Sequence, residues 1–236
     1  MGDYQARFRE KGGVKLPSTY STGIYMTFQY GNKEIEYLKS KDKRLSEVIE
    51  RIGLIARPMD EDLFSSVVHH IIGQQISSKA QLTVWNRMKE SLGEVTPQTI
   101  NNASIETLQS FGMTFRKAEY IKDFSEKIIS GAFSLEAVAQ MSDAEAIEAL
   151  SSLKGIGVWT AEMILLFCLN RMDIFSYDDL GIQRGLRMIY HHHKIDRNLF
   201  EKYRKRFSPY GSVASLYVWA VAGGAIPEMI DYKTRH

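Results

Sequence analysis

The chain has a single cysteine, Cys168, in 236 residues. That excludes an intramolecular disulfide, a zinc site built on several thiolates and a four-cysteine iron–sulfur cluster. Prolines number five and glycines seventeen, which leaves little room for long disordered linkers. No apolar run approaches the length of a membrane span, and the most apolar stretch, around residues 163–169, is far too short. Residues 1–15 carry Asp3, Arg7, Arg9, Glu10, Lys11 and Lys15 with no apolar run. No secretory leader is therefore expected, and the expected compartment is the cytoplasm, with nucleoid association in a prokaryote. A strong charge of one sign is also missing: 30 basic residues face 28 acidic ones, for a formal charge of +2. A nucleic-acid surface would have to be a local patch.

What remains is an ordinary globular composition, 44% hydrophobic and 25% charged, in a chain long enough for one large domain or two lobes. Residues 1–41 are rich in Tyr, Gly, Ser and Thr and lack helical spacing, so they read as an irregular or β arm. Residues 24–30 (IYMTFQY) are its candidate strand. From residue 42 the spacing turns helical. Leu63, Val67 and Ile71 recur every four residues, as do Ala80, Val84, Met88 and Leu92. Ala118, Ile121, Phe124 and Ile128 form a third stripe. Further helices fit 104–110, 134–141, 142–150, 180–191, 197–207 and 212–223. Many helices with short connections predict an all-α protein.

Residues 143–169 read DAEAIEALSSLKGIGVWTAEMILLFCL. A helix with Ala144, Ile147 and Leu150 inward ends near Ser152, and a second carries Ala161, Ile164, Leu165 and Cys168 on one face. Between them, Leu153 and Ile156 suit anchors of a tight hairpin, while Gly155 and Gly157 permit unusual backbone angles and close approach. The N–H groups of Gly155, Gly157 and Thr160 would then open a helix N-terminus suited to a phosphate, with Lys154 adding charge at the tip. The same Gly-x-Gly also fits a corner with no ligand. It is no dinucleotide fingerprint, because no strand precedes it and position 160 is Thr. Downstream, Asp178 and Asp179 precede another helix, where either residue also fits a simple cap.

The hairpin together with SYDDLGIQRGL, residues 176–186, resembles the helix-hairpin-helix DNA glycosylase superfamily, and within it the 3-methyladenine DNA glycosylase II branch. Residues 63–88, 111–128 and 208–220 resemble the branch's other helices, so the resemblance spans roughly 42–225. It departs from the family pattern in a loop, 170–178, that is poor in Gly and Pro. The resemblance implies a bilobal helical fold. One lobe is 64–171, ending in the hairpin. The other combines 42–63 with 172–236 and carries the catalytic aspartate, with 1–41 as the arm.

The resemblance further implies that Asp179 is the catalytic carboxylate, set in a cleft and facing Trp159 and Trp219. Strand-cutting relatives carry a lysine where this chain has Trp159, which implies a monofunctional enzyme that uses water. Trp159, Trp219 and Met163 would form the base pocket, since an indole face attracts a cationic alkylated base. Core tryptophans are the competing explanation, and Met163 stands where the branch often has a tyrosine. Gln75, in the turn Gln74-Gln75-Ile76-Ser77, would fill the gap left by a flipped base. A plain interhelical corner capped by Ser77 fits equally.

No cofactor is expected beyond a monovalent cation, Na+ or K+, on the backbone carbonyls of Ser151, Leu153 and Ile156. His191, His192 and His193 are adjacent on a helix and diverge, so they read as a solvated or phosphate-facing run. Lys202, Arg204, Lys205 and Arg206 read as a solvated face. The expected partner is double-stranded DNA with damaged bases, bound by a monomer with no membrane association. The expected reaction is hydrolysis of alkylated purines from duplex DNA by base flipping. Two alternatives stay open: a glycosylase for 8-oxoguanine or deaminated purines, and a non-catalytic helix-hairpin-helix DNA-binding module.

Overall fold

The computed structural model describes residues 26–60 and 62–233. Among them the fold is helical: α1 (Asn32–Lys41), α2 (Lys43–Ile52), α3 (Leu63–Gly73), α4 (Ser78–Leu92), α5 (Pro97–Asn102), α6 (Ile105–Ser110), α7 (Phe115–Ile129), α8 (Leu135–Gln140), α9 (Asp143–Ser151), α10 (Val158–Phe167), α11 (Leu180–Tyr190), α12 (Arg197–Phe207) and α13 (Gly211–Ala222). Polar side chains mark most of the starts. Asp42, Asp62, Ser77, Thr96, Ser104, Thr114, Ser134, Ser142, Asp179 and Asp196 each accept an N–H from the first turn of the helix that follows. Such caps satisfy donors that the helix itself cannot. The helix after the glycine hairpin, α10, has Gly157 at this position and no side-chain cap.

The chain divides into two compact units. The first is Asp60–Leu169, with α3 to α10; the second joins residues 26–59 to 170–233, with α1, α2 and α11 to α13. The first unit packs α3 on α4 and α7, α5 and α6 on α7, and α9 on α10. Phe64 stacks on Phe124 with centroids 5.1 Å apart, among buried Val67, Ile71, Val84, Met88, Ile121 and Ile164. In the second unit α11 packs on α13, and Phe175 stacks on Phe200 and meets buried Phe207 edge-on.

The arm expected over 1–41 differs from the structure where the two can be compared. Its last ten residues, Asn32–Lys41, are α1, which buries Leu38 and has its Gly31 N–H bonded to Glu34. The polar composition upstream conceals this short amphipathic turn. Residues 26–30 are extended but make no named strand: Thr27 forms one antiparallel bridge with Pro58, flanked by Phe28 N–H to Arg57 O and Met59 N–H to Met26 O. The remainder of the expected arm lies outside the described residues. Two helix faces are also rotated from expectation. In α9 the inward residues are Ala146 and Leu150 while Ala144 is exposed, and in α4 Gln81 is buried while Ala80 is exposed.

Candidate active site and nucleic-acid interface

The hairpin begins where α9 runs out of turns. Leu153 N–H bonds to Leu150 O and Ile156 N–H to Leu153 O, both at 3.1 Å, so the corner is tight. Leu153 and Ile156 are buried and anchor it. The two glycines have different reasons for being glycine. Gly155 sits at φ +83°, and a Cβ there would lie 2.4 Å from the Tyr120 ring of α7. Gly157 has an ordinary φ of −94°, and a Cβ there would meet nothing within 4 Å. The fold itself demands glycine at 155 only; at 157 it leaves an open approach to the start of α10. The Thr160 side chain is buried, so any contact it makes outward is through its backbone N–H in the helix's first turn.

Lys154 is exposed, but its Nζ lies 2.6 Å from Asp123 Oδ1 of α7, and Lys127 Nζ lies 3.0 Å from Asp123 Oδ2. The Lys154 ammonium is the main reason the Asp123 carboxyl is held below its usual range, and Asp123 in turn raises Lys154. The positive tip expected from sequence is thus partly neutralised within its own unit.

The turn between α3 and α4 is braced from several sides. Lys117 of α7 donates to the carbonyls of Ile72 at 2.9 Å and Gln74 at 2.6 Å. Burial lowers the Lys117 pKa from its ordinary value. The Gln74 amide donates to Gly155 O of the hairpin at 2.5 Å, and Ser77 caps α4. Gln75 is exposed and has a left-handed φ of 57°. Ser77 is thus the cap expected of an interhelical corner, and Gln75 is exposed beside it.

In the second unit, Asp179 starts α11 and is only 4% exposed, whereas Asp178 is exposed. Asp179 Oδ1 accepts the N–H of Ile182 at 2.8 Å and the Nε1–H of Trp219 at 2.9 Å. One carboxylate oxygen thus serves as a helix cap and as the acceptor of a buried indole. Trp219 is likewise only 4% exposed, so what it presents to Asp179 is its polar edge. That differs from the open stacking face expected for a base pocket. Trp159 and Met163 belong to the first unit, on α10. Trp159 is half-buried, and Met163, one turn on, is buried.

Two glycines that the sequence reading passed over make the Asp179 arrangement possible. A Cβ at Gly181 would come within 2.9 Å of Trp219 Cδ1 and 3.0 Å of Asp179 Oδ1; one at Gly185 would lie 2.2 Å from the Val218 carbonyl. Their spacing of four residues in a helix is the signal that marks them, since it puts two small residues on one face for a close neighbour. The loop before Asp179 needs little glycine because α13 holds it. Ser212 Oγ accepts Ile174 N–H at 2.9 Å, Ser215 Oγ donates to Ile174 O at 3.1 Å, and Gly211 N–H reaches Asp173 at 3.1 Å. Gln183 ties back to Tyr177 O at 2.7 Å.

The remaining candidates have separate partners. His192 Nε2 lies 2.7 Å from the Tyr203 hydroxyl, His193 Nδ1 lies 2.7 Å from Tyr232 O, and His191, at φ 59°, packs against the Tyr232 ring. Among the described residues no group of three or more His, Cys, Asp or Glu is placed to hold a metal ion. Arg206 lies on an exposed face, as expected, but also pairs with Asp42, a buried carboxylate that caps α2. Lys202, Arg204 and Lys205 are exposed. The Cys168 thiol is pushed up to about 12, chiefly by burial, with Asp60 and Asp62 adding to the shift, so it supplies no thiolate near neutral pH.

Residues 68–209 match the model of the HhH-GPD superfamily of base excision DNA repair proteins. The chain is 31% identical over 191 residues to DNA-3-methyladenine glycosylase 1 of Schizosaccharomyces pombe, covering 78% of this chain and 84% of that protein. Among solved structures it is similar to DNA-3-methyladenine glycosidase from Bacillus halodurans, with a TM-score of 0.77 and 33% identity over 86% of this chain and 95% of that one. It is also similar to the S. pombe 3-methyladenine DNA glycosylase in complex with abasic DNA, with a TM-score of 0.71 and 30% identity over 81% and 97%.

Proposed function

From the premise that this chain belongs to the HhH-GPD superfamily of base excision DNA repair proteins, we propose that it removes alkylated purines of the 3-methyladenine type from duplex DNA. The observation that carries the chemistry is Asp179, a buried carboxylate whose Oδ1 is fixed by two N–H donors, Ile182 and Trp219.

As the bond between C1′ and the base nitrogen breaks, its electron pair leaves with the base and positive charge builds on the sugar. An oriented carboxylate stabilises that charge and steers water to C1′; the water oxygen bonds to C1′ as its proton passes to the carboxylate and on to solvent, and an abasic site remains. An alkylated purine is already cationic and leaves as a neutral base, so no strong general acid is required. The target must first leave the stack. Gly157, with open space where a side chain would be, supports phosphate binding at the start of α10, and the backbone N–H groups of Gly155, Gly157 and Thr160 are its donors.

In this reading the enzyme has no lyase step. Trp159 occupies the position after Val158 in α10, and its indole nitrogen, whose lone pair belongs to the ring, forms no Schiff base. Trp159 meets the base through its ring, and Met163 shapes the space beneath it. The carbonyls of Ser151, Leu153 and Ile156 would hold a monovalent cation. They are neutral oxygens, and Leu153 O keeps a second lone pair after accepting from Ile156.

The deciding experiment is base release from methylated duplex DNA, with 8-oxoguanine and deoxyinosine duplexes alongside. Wild type is expected to release the methylated purine and leave an intact strand. Asp179→Asn is expected to slow release by roughly 10²–10³-fold while duplex binding persists. Release by the Asn variant at the wild-type rate would remove Asp179 from the chemistry, and strand cleavage without heat or alkali would refute the monofunctional reading.

A further inference from the structure

The protruding Gln75 is held by residues that the reaction itself does not use. Its left-handed φ of 57° is costly for a residue with a side chain, by about 1 kcal/mol, and persists only where the surroundings enforce it. The enforcement is visible in the chain just before it. Lys117 Nζ bridges the carbonyls of Ile72 and Gln74, just where α3 ends and carbonyls lack intrahelical donors. Gln74, next in the chain to Gln75, donates its amide to Gly155 O in the hairpin.

The helix that supplies Lys117 also shapes the hairpin. Tyr120, three residues on, occupies the space a side chain at Gly155 would need, and Asp123, three further, holds Lys154. Lys117, Tyr120 and Asp123 thus form one row of i, i+3 neighbours along α7 that contacts the turn at one end and the hairpin at the other. Below the turn, Gln81 is buried and donates to His69 O at 2.7 Å, which closes the base of the turn against α4.

We infer that Lys117 and Gln74 are positioning residues for Gln75: they lock the 74–77 turn to the hairpin, so that the Gln75 side chain enters the duplex at a fixed distance from the phosphate bound there. The inference rests on the reading of this chain as a duplex-DNA glycosylase. A hairpin-bound phosphate sets the register of the DNA, and a side chain that must replace a departed base works only in that register. Misplacement of about 1 Å is enough to degrade such a function heavily.

The test uses the full chain and a duplex in which 2-aminopurine stands opposite a tetrahydrofuran abasic analogue, so that its fluorescence reports stacking at the orphaned position. Saturating wild-type protein is expected to change the signal and Gln75→Ala to abolish the change. Lys117→Met and Gln74→Leu are each expected to reduce it by roughly three- to tenfold. Lys117→Arg restores it, because a guanidinium also carries several donors for two carbonyls. Lys117→Met adds nothing in the Gln75→Ala background if it acts through Gln75. A Lys117→Met protein that binds with full signal overturns the inference, as does a signal that Gln75→Ala leaves intact. Should Lys117→Met fail to fold, Gln74→Leu, which removes only the bond to the hairpin, decides in the same way. The signal needs no base release. A wild type that inserts Gln75 yet releases no methylated base therefore supports the positioning role and refutes the glycosylase reading.

Discussion

The hairpin of the first unit and the Asp179 centre of the second are built on opposite principles. At the hairpin the groups proposed to bind DNA are backbone N–H donors, and side chains matter mostly by being absent: the fold requires it at Gly155, through Tyr120 and φ, and the proposed phosphate approach requires it at Gly157, where the space beside the backbone is open. At Asp179 the proposed catalytic group is one buried side chain, and other side chains fix it through Trp219 Nε1–H and the small residues that let the indole approach. A backbone site should resist most side-chain changes and fail when a Cβ is added. A side-chain site should fail at one residue and be sensitive to packing around it.

The largest stability effect is expected at Gly185, where a Cβ would lie 2.2 Å from the Val218 carbonyl. Gly185→Ala must push α11 from α13 and should cost about 3 kcal/mol, read as a fall in the denaturation midpoint at unchanged slope. Gly155→Ala should cost about 2 kcal/mol, from the left-handed backbone and the Tyr120 ring together. Gly157→Ala breaks that pattern: stability should hold within about 0.5 kcal/mol, while affinity for duplex falls. Equal stability losses at 155 and 157 would show that both glycines serve the fold alone.

Smaller effects sharpen the contrast. Trp219→Phe keeps an aromatic ring but removes the donor to Asp179, and single-turnover base release should slow by roughly tenfold with duplex affinity unchanged. A loss confined to affinity would instead assign Trp219 to base binding. At the hairpin tip, Lys154→Ala should weaken duplex binding slightly, while Asp123→Asn, which frees Lys154 from its carboxylate, should strengthen it and steepen the salt dependence.

The smallest expected effect is one of pH. Asp231 is held below its ordinary value of 3.8, first by its paired bonds from Arg187 of α11 and then by the Lys233 N–H. Because the folded value is the lower one, the contribution is fully present above 3.8 and is lost as pH falls through the depressed value. Hydrogen exchange in residues 226–233 should rise over that acidic range in wild type, and Asp231→Asn should show the raised exchange at neutral pH.

Much of this was legible without coordinates, for identifiable reasons. Helices α11 and α12 have the expected starts because Asp179 and Asp196 are local caps, and capping is decided within three residues. The hairpin was legible because Leu153, Gly155 and Ile156 act within one tight turn. What escaped was non-local. Nothing near Lys117 in the chain reveals that it reaches Ile72 and Gln74, more than forty residues away. Arg206 looked like one basic residue among several, and only the fold brings it to the buried Asp42.

The sequence alone determined the helical class, the hairpin with its glycine at 155, and an aspartate at the head of a helix, because each rests on short-range sterics and hydrogen bonding. The tertiary structure decided that Asp179 rather than Asp178 is buried, that Trp219 turns its N–H toward that carboxylate, and that the turn bearing Gln75 is tied to the hairpin. Those choices depend on which distant side chains and carbonyls share one desolvated space, where a polar group left unpaired is costly.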